Sequence, residues 1–142
     1  MIVCDANLLI YSYNSGSARH PEASAWLEEL FSGIQVVGLP WQAVSAFLRV
    51  MTNRRLPGER FTLEQAAQIV DLWLANANVR VLMPGDHYWS IFRRMLIEGQ
   101  ASGALVSEAE VAALTIEFGG VLHTADRDFA RFPGLRWKNP LE

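Results

Sequence analysis

The stretch VLHTADRDF, residues 121–129, runs three strand-like residues almost directly into Asp126, Arg127 and Asp128. A buried strand that ends on two closely spaced carboxylates needs a reason, because such groups repel each other unless a cation joins them. A divalent metal supplies the missing positive charge. The strand then ends at a rim, and other parts of the chain must bring further carboxylates to it.

Moving outward, short runs rich in Val, Ile and Leu recur at residues 2–4, 36–39, 79–83 and 121–123, with an edge strand near 135–137. Between them lie segments of helical spacing. Their apolar stripes are Trp26, Leu27, Leu30 and Phe31; Val44, Phe47, Leu48 and Met51; Ile69, Val70, Trp73 and Leu74; and Ile91, Phe92, Met95 and Leu96. The spacing at Ser107 and Glu110 predicts a capping box, with Ser107 as N-cap of a helix running through Phe118 and ended by Gly119 and Gly120. Strands apolar on both faces, each followed by a helix, predict an α/β sandwich with a parallel sheet covered on both sides. Ligands bind such sheets beyond the carboxyl ends of the strands, where the strand order reverses.

With 142 residues, the chain fits one domain spanning 1–142 that buries a core unaided. A hydrophobic fraction of 51%, five Trp and seven Phe exclude disorder, and no apolar run approaches the roughly 20 residues of a membrane span. The opening MIVCDANLLIY carries Asp5 inside its apolar stretch and reads as a first strand, not as a secretory signal. Cys4 is the sole cysteine, which excludes an internal disulfide or a Cys-rich zinc site and points to the cytoplasm. A net charge of −3 speaks against nucleic acid. Its distribution speaks the other way, because Arg49, Arg54, Arg55 and Arg60 cluster in one stretch and Arg93 and Arg94 in another.

Asp5 follows the first strand and Asp126 and Asp128 follow the strand at 121–123, so neighbouring strands put all three on one rim. Each acid also has a local structural explanation. Asp5 can cap a helix from Ala6, Asp126 can cap a short helix before Pro133, and Glu108 suits a first helical turn. Convergence favours the metal, and hard oxygen ligands without His or Cys suit Mg²⁺ or Mn²⁺ better than zinc. His20, His87 and His123 are too scattered to form a ligand set. Trp26, Trp73 and Trp89 exceed what the covering helices need, which suggests a groove for an amphipathic partner helix.

The segments MIVCDANLLIY, GLPWQAVSAFLRVMT, GALVSEAEVAAL and HTADRDFARFPGLRWKNPL together resemble a PIN-domain ribonuclease of the VapC toxin type. The resemblance covers nearly the whole chain. It implies a PIN-like three-layer α/β/α sandwich around a central parallel sheet of four to five strands. It also implies a Mg²⁺-dependent endoribonuclease of a type II toxin–antitoxin pair, held by a cognate VapB-like antitoxin, acting on tRNA or rRNA and forming a homodimer. The catalytic set it implies is Asp5, Glu108, Asp126 and Asp128, with Asp5, Glu108 and Asp126 on the metal.

The departures are specific. Ala6 stands where the family has Thr, Ala46 where it has Glu, Glu108 where it has Asp, and Ala104 where it often has Asn. Loss of a positioned acid–base group costs on the order of 10²–10⁴ in rate. The alternative is therefore a degenerate PIN domain that binds antitoxin or RNA and cuts weakly or not at all. A phosphatase using Asp5 is disfavoured, since the usual Asp-x-Asp start is missing and the only lysine, Lys138, lies near the C-terminus.

Overall fold

A computed structural model describes residues 1–56, 58 and 60–142. Its strands are β1 (Ile2–Cys4), β2 (Val37–Pro40), β3 (Val79–Leu82), β4 (Val121–His123) and β5 (Trp137–Lys138). The helices are α1 (Ala6–Tyr13), α2 (His20–Ser32), α3 (Trp41–Met51), α4 (Leu63–Ala75), α5 (Tyr88–Glu98) and α6 (Leu105–Glu117), followed by a short 3₁₀ helix at Arg127–Arg131. The strands form one parallel sheet in the order β3-β2-β1-β4-β5. The chain moves outward from β1 in one direction through β2 and β3, then returns to β1's other side for β4 and β5. The order therefore reverses between β1 and β4, with Cys4 in register with His123.

The sheet separates two cores, because side chains alternate between its faces. Cys4, Val37 and Leu39 pack with Leu9, Leu27, Phe47, Val70 and Trp73 from α1, α2, α3 and α4. Val3, Leu82 and Leu122 pack with Met95, Ala109, Ala112 and Ala113 from α5 and α6. The stripes expected from spacing supply these contacts, apart from Leu74, which is exposed. Trp73 is no surplus residue: it is 1% exposed, lies 4.6 Å from the Phe47 ring, and donates from Nε1 to the Tyr13 hydroxyl at 3.2 Å. Trp26 donates to His123 Nδ1 at 3.2 Å, and of the three only Trp89, 61% exposed, stays free for a partner.

The expected capping box at Ser107 does not form. Helix α6 starts two residues earlier, at Leu105, after Gly103 takes a left-handed φ of 63° and the chain closes turn bonds from Leu105 N to Ser102 O and from Val106 N to Gly103 O. Ser107 thus lies inside the first turn, and the Glu110 carboxylate accepts from Gln42 instead of reaching back. A capping box does occur at Thr62 and Gln65, opening α4. The far end of α6 is as expected: Gly119 adopts a φ of 68°, Gly119 N bonds Ile116 O, and Gly120 N bonds Thr115 O. That pattern is a Schellman stop, which needs a residue without a Cβ penalty in the left-handed region. The edge strand β5 falls at Trp137–Lys138, one residue beyond the expected position.

Candidate metal centre

Strand order puts the carboxylates together. Asp5 leaves the end of β1 and caps α1, its Oδ1 accepting from Ala6 N at 2.8 Å. Across the reversal point, Asp126 follows β4 and caps the 3₁₀ helix, its Oδ1 accepting from Asp128 N at 2.8 Å. Glu108 comes from the first turn of α6. One carboxylate oxygen from each of Glu108, Asp126 and Asp128 lies within 4.8 Å of the others, a spacing that a divalent ion could bridge. Asp5 lies behind this trio, close enough for its charge to act on Glu108.

The buried hydroxyl of Thr124 is the hub of the arrangement. It donates to Asp5 Oδ2 at 2.7 Å and accepts from Asn7 Nδ2 at 3.2 Å and from Asp126 N at 3.0 Å. One donor and two acceptors are all a hydroxyl has, so Thr124 is fully used. Asn7 completes the link by accepting from Ala125 N at 3.3 Å. Asp5 and Asp126 are therefore held by one side chain. The sequence reading missed Thr124 and Asn7, although their signal is visible: each lies two residues from an acid at the end of a strand.

The electrostatics favour a bound cation. Burial, then the charges of Asp126, Asp128 and Asp5, push the Glu108 carboxyl up to about 7. Burial also raises Asp5, and the Thr124 and Ala6 hydrogen bonds only partly offset it. Glu108 Oε2 is buried and has no hydrogen-bond partner among the described residues. An acceptor buried without a partner is costly, and a cation beside it would remove both that cost and the repulsion. The donor set is all oxygen, so the residues fit a hard divalent ion.

A cavity of about 100 Å³ opens beside the carboxylates, bounded by Asp5, Glu108, Gln42, Ala46 and Phe129. Its α3 wall is poor in chemistry: Ala46 contributes a methyl group, and Gln42, one turn earlier, is tied to Glu110 Oε2 at 2.8 Å. A larger groove of about 390 Å³ lies along α2, lined by Trp26, Glu29, His123 and Lys138 among others. Burial and then Lys138 depress the His123 imidazole to about 4, and these side chains form no metal-ligand cluster among the described residues. The arginines are exposed, and Arg54 and Arg55 follow the end of α3, about 16 Å along the helix from its start at the rim.

No family model matches the chain. It is, however, 35% identical over 142 residues to ribonuclease VapC43 of Mycobacterium tuberculosis, covering 100% of this chain and 97% of that protein. The chain belongs to the VapC ribonuclease family. Among solved structures, VapBC-1 of nontypeable Haemophilus influenzae superimposes with a TM-score of 0.67 at 17% identity, covering 100% of both chains. Mycobacterium tuberculosis VapC20, described as a sarcin-ricin loop cleaving toxin, gives 0.66 at 20% identity, over 96% of this chain and 99% of that one. The five-stranded parallel sheet with helices on both faces is thus the PIN-like fold of VapC proteins. Within it, Ala46 lines the cavity at the place where the resemblance calls for Glu.

Proposed function

We propose that this chain is a Mg²⁺-dependent endoribonuclease toxin of a type II toxin–antitoxin pair, with Mn²⁺ able to substitute. The observation that carries the reading is the meeting of Glu108, Asp126 and Asp128 around a buried Glu108 oxygen that has no partner among the described residues. Membership of a family whose relatives are named ribonucleases supports it. Asp5, Glu108 and Asp126 would hold the ion, and Asp128, at the exposed edge, would act through water. Such an ion supplies Lewis-acid chemistry, neutralising charge on a phosphodiester oxygen and favouring ionisation of water.

The chain's own contribution is preorganisation. Thr124 and Asn7 fix Asp5 and Asp126 before substrate arrives, and Glu108 holds or releases a proton near neutral pH. The partners in this reading are a cognate VapB-like antitoxin, an RNA of the tRNA or rRNA class, and a second copy of the chain in a homodimer. Residues 1–142 act as a single PIN-like domain. No helix among the described residues is long and apolar enough to cross a membrane, in keeping with the cytoplasmic location we propose.

One observation favours a second reading. Ala46 leaves the cavity without a carboxylate on its α3 side, as in a degenerate domain that binds RNA or antitoxin and cuts weakly. Antitoxin-free protein incubated with total RNA and Mg²⁺ or Mn²⁺ separates the two. Cleavage is expected from the native chain, and Asp5→Asn should slow it by roughly 10²–10⁴. Equal activity in the two proteins would sink the nuclease assignment.

A further inference from the structure

The α3 wall of the cavity carries one polar side chain, Gln42, and its orientation is fixed. A carboxylate only accepts hydrogen bonds, so the bond to Glu110 Oε2 at 2.8 Å must come from the amide NH₂ end of Gln42. The carbonyl end, Oε1, has no hydrogen-bond partner among the described residues. Gln42 and Ala46 are one turn apart on the same helix face, and both border the cavity that Asp5 and Glu108 complete. The result is an aimed acceptor about one side chain away from the carboxylates.

Chemistry narrows what that acceptor can meet. RNA phosphates offer only acceptors and cannot bond to Oε1. The donors of an RNA strand are base amino and imino groups, which differ from one nucleotide to the next, and the ribose 2′-hydroxyl, which every nucleotide carries. The negative charge of Glu110 behind the amide further disfavours a phosphate on that side. Resting on the nuclease reading above, we propose that Gln42 accepts a hydrogen bond from a ribose 2′-hydroxyl at the cleavage site, and that Glu110 is the positioning residue that aims it. Gln42 thereby selects RNA over DNA. The competing account makes the Gln42–Glu110 bond a strut between α3 and α6 and nothing more.

The test uses the full chain in EDTA, so that binding is read without cleavage. The probes are a short mixed-sequence RNA oligonucleotide and its all-2′-deoxy counterpart, followed by fluorescence anisotropy. The native protein should bind the RNA about tenfold more tightly, the worth of one hydrogen bond. Gln42→Ala should bind both oligonucleotides alike, at the level of the deoxy strand. Glu110→Gln keeps the volume but allows the Gln42 amide to turn over, so the preference for RNA should shrink while the melting temperature holds. Gln42→Ala that keeps the full preference, or a native protein without one, would overturn the proposal. So would a lower melting temperature in Gln42→Ala with the preference intact, which is the signature of a strut. Cleavage of total RNA with Mg²⁺ is scored separately. Cleavage without a sugar preference sinks this inference alone, a preference without cleavage sinks the nuclease reading alone, and a native protein that neither binds nor cuts sinks both.

Discussion

The two walls of the cavity are built on different principles. On the side of β1 and β4, each acid is held by hydrogen bonds or by its place in a helix turn: Thr124 grips Asp5 and Asp126, Asn7 grips Thr124, and Asp126 caps the turn that carries Asp128. On the α3 side, Ala46 offers a methyl group and Gln42 a single amide. The first wall is organised to hold a fixed charge pattern. The second leaves substrate and water with few fixed partners, and this contrast explains how one chain can keep a family's metal chemistry yet differ in how hard it drives cleavage.

The largest expected effect of breaking this contrast comes from Ala46→Glu, which places a carboxylate on the poor wall. Cleavage should rise on the order of 10², the lower end of what a positioned acid–base group contributes. Already robust activity that does not change would show that the fixed wall suffices. Combining it with Glu108→Asp is a stricter form of the test, because the two positions share one cavity and their effects need not add.

Loosening the rich wall should cost stability first. Thr124→Val removes one hydroxyl and strands Asp5 Oδ2, Asp126 N and Asn7 together. The expected cost is about 1–3 kcal/mol in chemical denaturation, the penalty of buried groups left without partners. Asp5, which loses the hydrogen bond that lowers its pKa, should then hold its proton to higher pH. A denaturation midpoint that does not move would show that the hub is dispensable.

Glu108 makes the same wall sensitive to pH. A cation binds the ionised carboxylate and competes with a proton that leaves near pH 7, so Mn²⁺ affinity by calorimetry should rise up to about tenfold per unit below pH 7 and level off above it. The metal-free protein should behave in the opposite sense. A carboxyl raised from 4.5 to about 7 on folding stabilises the fold below pH 4.5, and that contribution fades as pH climbs through 7. Glu108→Gln should abolish both trends; a metal affinity that stays flat with pH would argue against Glu108 as a ligand.

The smallest effect tests a part of the rim that the fold leaves idle. Ser107→Ala should change stability by less than about 0.5 kcal/mol, as for a surface position, because Ser107 caps nothing. Thr62→Ala, by contrast, removes a formed cap and should cost about 1 kcal/mol in thermal melts.

Much of this molecule was written in local pattern. Strand runs at 2–4 and 121–123, the helix of Trp41–Met51 and the glycine stop after Glu117 could be read directly, because alternation, helical spacing and turn chemistry are properties of near neighbours. Asp5, Asp126 and Asp128 were also legible, since an acid placed straight after an apolar strand lands on the rim of any parallel sheet. Packing misled where one side chain had two possible partners. Ser107 and Glu110 fit a capping pattern as well as any pair, but Gln42, 68 residues away in sequence, took the Glu110 carboxylate. Trp73 looked surplus until Phe47 and Tyr13 closed around it.

By itself, then, the sequence determined the parallel sheet, the acids at the strand ends and the absence of a carboxylate at position 46. Only the tertiary structure decided that Thr124 joins Asp5 to Asp126, that a Glu108 oxygen is left buried without a partner, and that Gln42 faces the cavity with its donor already spent. The physical reason is range. A strand or a helix turn is set by residues a few positions apart, whereas a hydrogen-bond hub joins Asp5 to Thr124 across 119 positions, and only the packed sheet brings those atoms to 2.7 Å.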